Sequence, residues 1–265
     1  ASRLLLCGRT MPPKKLDPKD FRFLEERGAR LVKEPGQING TDFLVDGCED
    51  CEIVIRDHVA QIFVDYCKRC TLVVGPVTSS AFLRNCEGCK VKIACGQLRT
   101  RDCVDCDMLV LVPGQPIIET SSGMRFGPLL TSYPEFEGHM EASGLARKLA
   151  GREHRCRWSE VYDFSPGNPP GGAHWSCLSR AEAEEISAGF PASPDDVPVL
   201  DLYPRSDFPG DGGEAAVREE AVAEAAPTAA PSPVVAAAAE PAAEAPGTAV
   251  VAAAAEPAAE APGTA

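Results

Sequence analysis

No run of apolar residues in this chain approaches the roughly 18 to 20 that a membrane-spanning helix needs. The compact stretch Leu4-Leu5-Leu6-Cys7 is too short for the core of a secretory signal, and no Met-Gly acylation signal is visible. The expectation is therefore a cytoplasmic protein. A basic excess is also lacking. The net charge is −13, and residues 181–265 carry 16 Asp/Glu against 2 Arg, which leaves residues 1–180 close to neutral. Without a basic stripe there is no electrostatic footprint for nucleic acid, so a protein partner is expected instead. Catalytic signatures are missing as well: there is no phosphate-cradling Gly-x4-Gly-Lys loop, no nucleophile elbow and no paired metal-binding histidines. His154 and Cys156 with His174 and Cys177 make only a weak metal candidate.

What the chain has in plenty is cysteine, 12 in all. In an intracellular protein such a number points to metal ligation, packing or redox chemistry rather than disulfides. Eight of them form pairs, Cys48-x-x-Cys51, Cys67-x-x-Cys70, Cys86-x-x-Cys89 and Cys103-x-x-Cys106, starting at intervals of 19, 19 and 17 residues. Apolar residues alternate on both sides of each pair: Phe43 and Val45 precede the first and Ile53 and Ile55 follow it. Ile62, Val64, Leu72 and Val74 repeat this around the second pair. Two short strands around a tight corner, repeated, cannot bury their inner face alone and must stack. The fold expected from the repeat is all-β, a right-handed parallel β-helix. The rival is zinc, since two such pairs fall within the spacing of a four-cysteine site. Against it, the segments between pairs have strand periodicity and the pattern runs through four pairs. A fifth turn, 116–126, carries Ser121-Ser122 in the cysteine place. Serine cannot replace a zinc ligand, but it can replace a small corner residue, so the eight cysteines are expected to form a packed ladder with no metal.

The domain reading places a disordered leader at 1–13 and the β-helix at 14–180, with 14–40 as an N-terminal cap. The segment 133–178, with a helix around 141–150, folds back on the stack. A linker follows at 181–205. From 206 the chain is Ala-, Pro- and Glu-rich, and residues 234–249 recur unchanged as 250–265. Such composition buries too little to offset chain entropy, so this tail is expected to be disordered.

Leu44, Phe63, Phe82 and Arg99 each stand four residues before the first cysteine of their coil. Their neighbours on either side are the inward ones, so strand alternation turns this column outward. Large apolar side chains on an outer face call for a cover, either a segment of the same chain or a partner.

The run 75–86 (GPVTSSAFLRNC), followed by Ala94-Cys95-Gly96-Gln97-Leu98-Arg99, Gln115-Pro116-Ile117-Ile118-Glu119 and Phe126-Gly127, resembles the tubulin-binding cofactor C family. The similarity reaches upstream to Leu16–Phe21 and downstream through Tyr133-Pro134-Glu135 and Trp158-Ser159 to Asp163-Phe164. The resemblance implies a β-helical domain that acts as a GTPase-activating protein for an Arf-like small GTPase, linked to ciliary or Golgi traffic of lipidated cargo. It further implies that Arg99 is an arginine finger with Gln97 beside it, and that Glu119, Phe164, Phe82 and Phe63 belong to the GTPase interface. On this reading the chain regulates an enzyme rather than being one, and needs no cofactor of its own, since GTP and magnesium belong to the partner. The location implied is the cytoplasm, with the cilium or basal body within it. The family's finger motif reads Cys-Gln-Gln-x-Arg, and Gly96 replaces its first glutamine, so Gly96→Gln is expected to raise activity. The alternatives from other classes are a GTPase-binding or microtubule-associated scaffold without catalysis, and a tubulin-folding cofactor.

Overall fold

A computed structural model describes residues 17–150, 156–165, 174–191 and 196–199. The expected leader and the tail from 206, like His154, lie outside them.

Six coils stack in parallel register. The first is β1 (Arg22–Leu24) with β2 (Arg30–Lys33), and the second is β3 (Phe43–Asp46) with β4 (Glu52–Ile55). Then come β5 (Ile62–Asp65) and the long β6 (Thr71–Arg84), which runs through a bend into the next coil, as does β7 (Lys90–Arg101). β8 (Asp107–Leu111), β9 (Ile117–Glu119) and β10 (Met124–Pro128) complete the stack. The strands pair in two columns, β1-β3-β5-β6-β7-β9 and β2-β4-β6-β7-β8-β10, each pairing parallel. The fold is a parallel β-solenoid.

The corner between the two columns explains the Cys-x-x-Cys spacing. The residue before each cysteine has a left-handed backbone: Gly47 and Asp50, Tyr66 and Arg69, Asn85 and Gly88, Asp102 and Asp105. Two left-handed residues three apart turn the chain sharply, and Gly, Asn and Asp accept that conformation most readily. The following side chain is thrown inward at the corner, where in the four central coils a thiol fills the space. All eight sulfurs are buried and reduced. Each donates to a neighbouring carbonyl, as Cys86 Sγ does to Val64 O at 3.4 Å and Cys89 Sγ to Cys67 O at 3.5 Å. Hydrogen bonds between stacked sulfurs, together with burial, push the thiols of Cys70, Cys86 and Cys106 up and keep them protonated. Among the described residues the thiols do not converge as three or more ligand atoms around one point.

Three expectations need correction. Residues 22–33 are not a covering cap but a coil in their own right, with Glu26 and Ala29 in the cysteine places after left-handed Glu25 and Gly28. In the last coil the second cysteine place is taken by Met124, after left-handed Gly123, and not by Ser122, which pairs with Val104 on the outside. Finally, residues 180–191 and 196–199 are folded rather than linker. α3 (Arg180–Ala188) starts at a capping box, Ser179 with Glu182, and buries Ala183 and Ile186, while β14 (Val197–Pro198) pairs with β11 (Thr131–Ser132).

The return segment packs against the solenoid as α1 (Phe136–Ala142) and α2 (Leu145–Leu149), which bury Phe136, Met140, Leu145 and Leu149. The single helix expected over 141–150 is broken at Gly144, whose φ of 74° ends one helix and starts the next. β12 (Tyr162–Asp163) extends the first strand column beside β9, and β13 (Trp175–Cys177) extends the second beside β10. Trp158, four residues before β12, is fully buried. No helix among the described residues is long and apolar enough to cross a membrane.

Candidate functional site

Strand register builds one outward column across seven parallel strands: Arg22, Leu44, Phe63, Phe82, Arg99, Ile117 and Tyr162. Its neighbours Phe43, Val45, Ile62, Val64, Ala81, Leu83, Leu98 and Thr100 are buried, so alternation fixes its direction. The Phe63 and Phe82 rings stack at 5.3 Å and 8° between planes. Arg84 lies over the Phe63 ring at 5.5 Å and holds Asp65 through two hydrogen bonds of 2.7 and 2.5 Å. The aromatic pair is thus clamped from one side and rigid enough to serve as a platform.

Arg99 follows this platform on β7. Its side chain is exposed, and no carboxylate among the described residues pairs with it. Glu119 lies on the same face of the next strand, β9, two residues along that strand from Ile117, in register with Arg101 rather than with Arg99. It is exposed. Phe164 sits beyond it, 61% exposed, its N–H donating to Ile118 O at 2.7 Å and its ring in edge contact with Tyr162 at 5.0 Å. Gln97 is half-buried on the same face as Arg99 and accepts from Ser80 Oγ at 3.4 Å. The structure therefore brings Phe63, Phe82, Gln97, Arg99, Glu119 and Phe164 to one face. Tyr162, Ile117 and Arg101 join them unforeseen. The alternation of Tyr162 with Phe164 was a signal in the sequence, though it showed only once β12 was known to be a strand.

Gly96 has a structural reason. Between Val74 and Ser80, β6 carries two more residues than β7 does between Ile93 and Gln97, a pair of bulges that also accounts for the 17-residue interval. The bulged backbone presses on Gly96: a Cβ there would lie 2.7 Å from Ser79 O and 2.8 Å from Thr78 O. Lys148 of α2 closes the same spot by donating to Thr78 O at 2.9 Å. A glutamine at 96 would have to move backbone, which opposes the expectation that it would simply restore the motif.

Elsewhere, His174 Nδ1 is held 2.9 Å from Asp163, and Cys156 Sγ accepts from Val112 N–H, so both have roles in packing.

The tubulin binding cofactor C family model matches residues 40–164, a span that contains every one of the six predicted site residues. Residues 40–164 belong to the tubulin binding cofactor C family. Protein XRP2 of Danio rerio is 43% identical over 193 residues, covering 73% of this chain and 45% of that protein. Tubulin-specific chaperone C of Homo sapiens is 33% identical over 91 residues, covering 34% of this chain and 25% of that protein. The solved tubulin binding cofactor C from Leishmania major is 31% identical, covering 54% of this chain and 91% of that one, with a TM-score of 0.43. The chain spans less than half the length of the curated relatives it matches.

Proposed function

We propose that this cofactor C domain is a GTPase-activating protein for an Arf-like small GTPase, with Arg99 as its arginine finger. The observation that carries the reading is the placement of an exposed guanidinium, free of any carboxylate among the described residues, at the edge of a rigid aromatic column. Phosphoryl transfer spreads negative charge over the γ-phosphate oxygens, and a planar guanidinium entering from outside neutralises it with paired hydrogen bonds. The GTPase brings magnesium and the residue that orients water. Phe63, Phe82 and Phe164 supply apolar contact area, Glu119 faces a basic group of the partner, and Gln97 supports the approach of Arg99. A finger of this kind raises hydrolysis by about 10³- to 10⁵-fold. The cytoplasm, with the cilium or basal body within it, is the location that goes with this role.

The test is single-turnover GTP hydrolysis by a panel of purified Arf-like GTPases with and without the full chain. Acceleration of at least one supports the reading, and none across the panel removes it. The crowding at Gly96 favours a second reading in which the domain binds the GTP-bound state as a scaffold without speeding hydrolysis. A relative named as a tubulin-specific chaperone adds tubulin to the partners worth assaying.

A further inference from the structure

Away from the arginine column, the adjacent Asp57 and His58, which follow β4, meet His139 of α1. Asp57 is 1% exposed. Its Oδ2 accepts the N–H groups of Ile38 and Asn39, both at 2.7 Å, and its Oδ1 accepts that of His58 at 2.8 Å. Three backbone donors favour the ionised carboxylate despite its burial. His58 Nδ1 lies 3.2 Å from Oδ1, and His139 Nε2, carried by α1, lies 3.7 Å from the same oxygen. The other nitrogen of each ring is turned elsewhere. His58 Nε2 abuts Gly40, where a Cβ would come within 2.9 Å of it, and His139 Nδ1 is 2.8 Å from Tyr133 Oη. One carboxylate oxygen and two imidazole nitrogens thus face a common point, all within 4.8 Å of one another.

We propose that Asp57, His58 and His139 bind one zinc ion through Oδ1, Nδ1 and Nε2. Two imidazoles with one carboxylate suit zinc and its transition-metal neighbours, whereas calcium and magnesium require mostly oxygen. Bond lengths of about 2.0–2.2 Å put tetrahedral ligand atoms roughly 3.3 Å apart. The 3.2 Å between Asp57 Oδ1 and His58 Nδ1 already meets that, and the 3.7 Å from Oδ1 to His139 Nε2 would have to shorten by about 0.4 Å. Tyr133 would supply the outer support typical of metal-bound histidine: in the tautomer that donates Nδ1–H to Tyr133 Oη, the Nε2 lone pair faces the site. Both histidine side chains keep some exposure, 17% and 15%, enough for an ion to enter and for water to fill the remaining position. The ion would tie three segments together: the 38–39 loop through Asp57, the second coil, and α1. Through α1 it would steady α2, whose Lys148 rests against the bulge beside Gly96.

The experiment titrates the chelator-stripped full chain with cobalt(II), then displaces it with zinc. The chain's many thiols are the competing ligands, and cobalt separates the two cases by spectrum. The expected result is one equivalent bound with weak visible bands and no intense near-ultraviolet thiolate charge transfer. Tyr133→Phe should weaken binding by about 10-fold or more while the circular dichroism stays native. His139→Gln and His58→Gln should each abolish stoichiometric binding. Absence of binding by the parent, thiolate bands, or unchanged affinity in both histidine variants would each overturn the proposal.

Discussion

Phe82 and Arg99 are register partners on adjacent coils, a half-buried ring beside an exposed guanidinium on one outward column. A partner that seats on the ring therefore meets the cation at a fixed distance along the stack, which is what insertion into a nucleotide site requires. The exposed Phe164 marks the far edge of that surface.

Phe164→Ala should weaken binding to the GTP-bound partner by about 1 kcal/mol or more, roughly fivefold or greater, as expected of an aromatic anchor. Because the ring is 61% exposed, the unfolding free energy should stay within about 0.5 kcal/mol of the parent. Calorimetric binding and a denaturant titration check the two halves separately.

How much of this was legible in the sequence depended on whether the signal was local. The column of Leu44, Phe63, Phe82 and Arg99 could be read because the Cys-x-x-Cys corner gives each coil a fixed origin. The first coil was missed because Glu26 and Ala29 stand in for its cysteines. The α3 helix was missed because its acidic composition blended with the tail, although Ser179 and Glu182 spelled out a capping box. The crowding at Gly96 could not be read at all, since it arises from carbonyls of Thr78 and Ser79 on the neighbouring coil and from bulges that only the paired strands reveal.

Gly96→Gln accordingly should not restore a family motif. Overpacking against backbone costs about 1–3 kcal/mol, so a lower denaturant midpoint is expected, with no gain in GTP hydrolysis. A stable variant that hydrolyses faster would show that the bulge yields.

The ten buried cysteines among the described residues should resist iodoacetamide in the native protein and react together on unfolding. Burial keeps the reagent from all ten, and the raised thiols of Cys86, Cys95 and Cys106 further oppose the reactive thiolate. Mass spectrometry after brief native labelling counts them, and early modification of Cys86 or Cys103 would contradict a closed ladder.

Lys92 gives a pH signature. Its Nζ is enclosed by Thr131 Oγ1 and Ser187 O, both at 3.1 Å, and lies over the Phe190 ring at 4.7 Å, and burial lowers its pKa from 10.5 to about 8. The unfolded chain therefore binds this proton more tightly than the folded one between these values. Stability contributed by this site rises as pH increases from about 8 to 10.5 and is constant outside that window. Lys92→Met should flatten this slope, seen as a shrinking advantage of the variant over the parent across the window in denaturant titrations.

The most direct test of the account is single-turnover GTP hydrolysis measured beside equilibrium binding for Arg99→Ala and Arg99→Lys. The account predicts that both variants bind the GTP-bound partner nearly as the parent does, while hydrolysis falls to the partner's intrinsic rate with alanine and stays far below the parent's with lysine, which lacks the paired donors. Full acceleration by the alanine variant would contradict it.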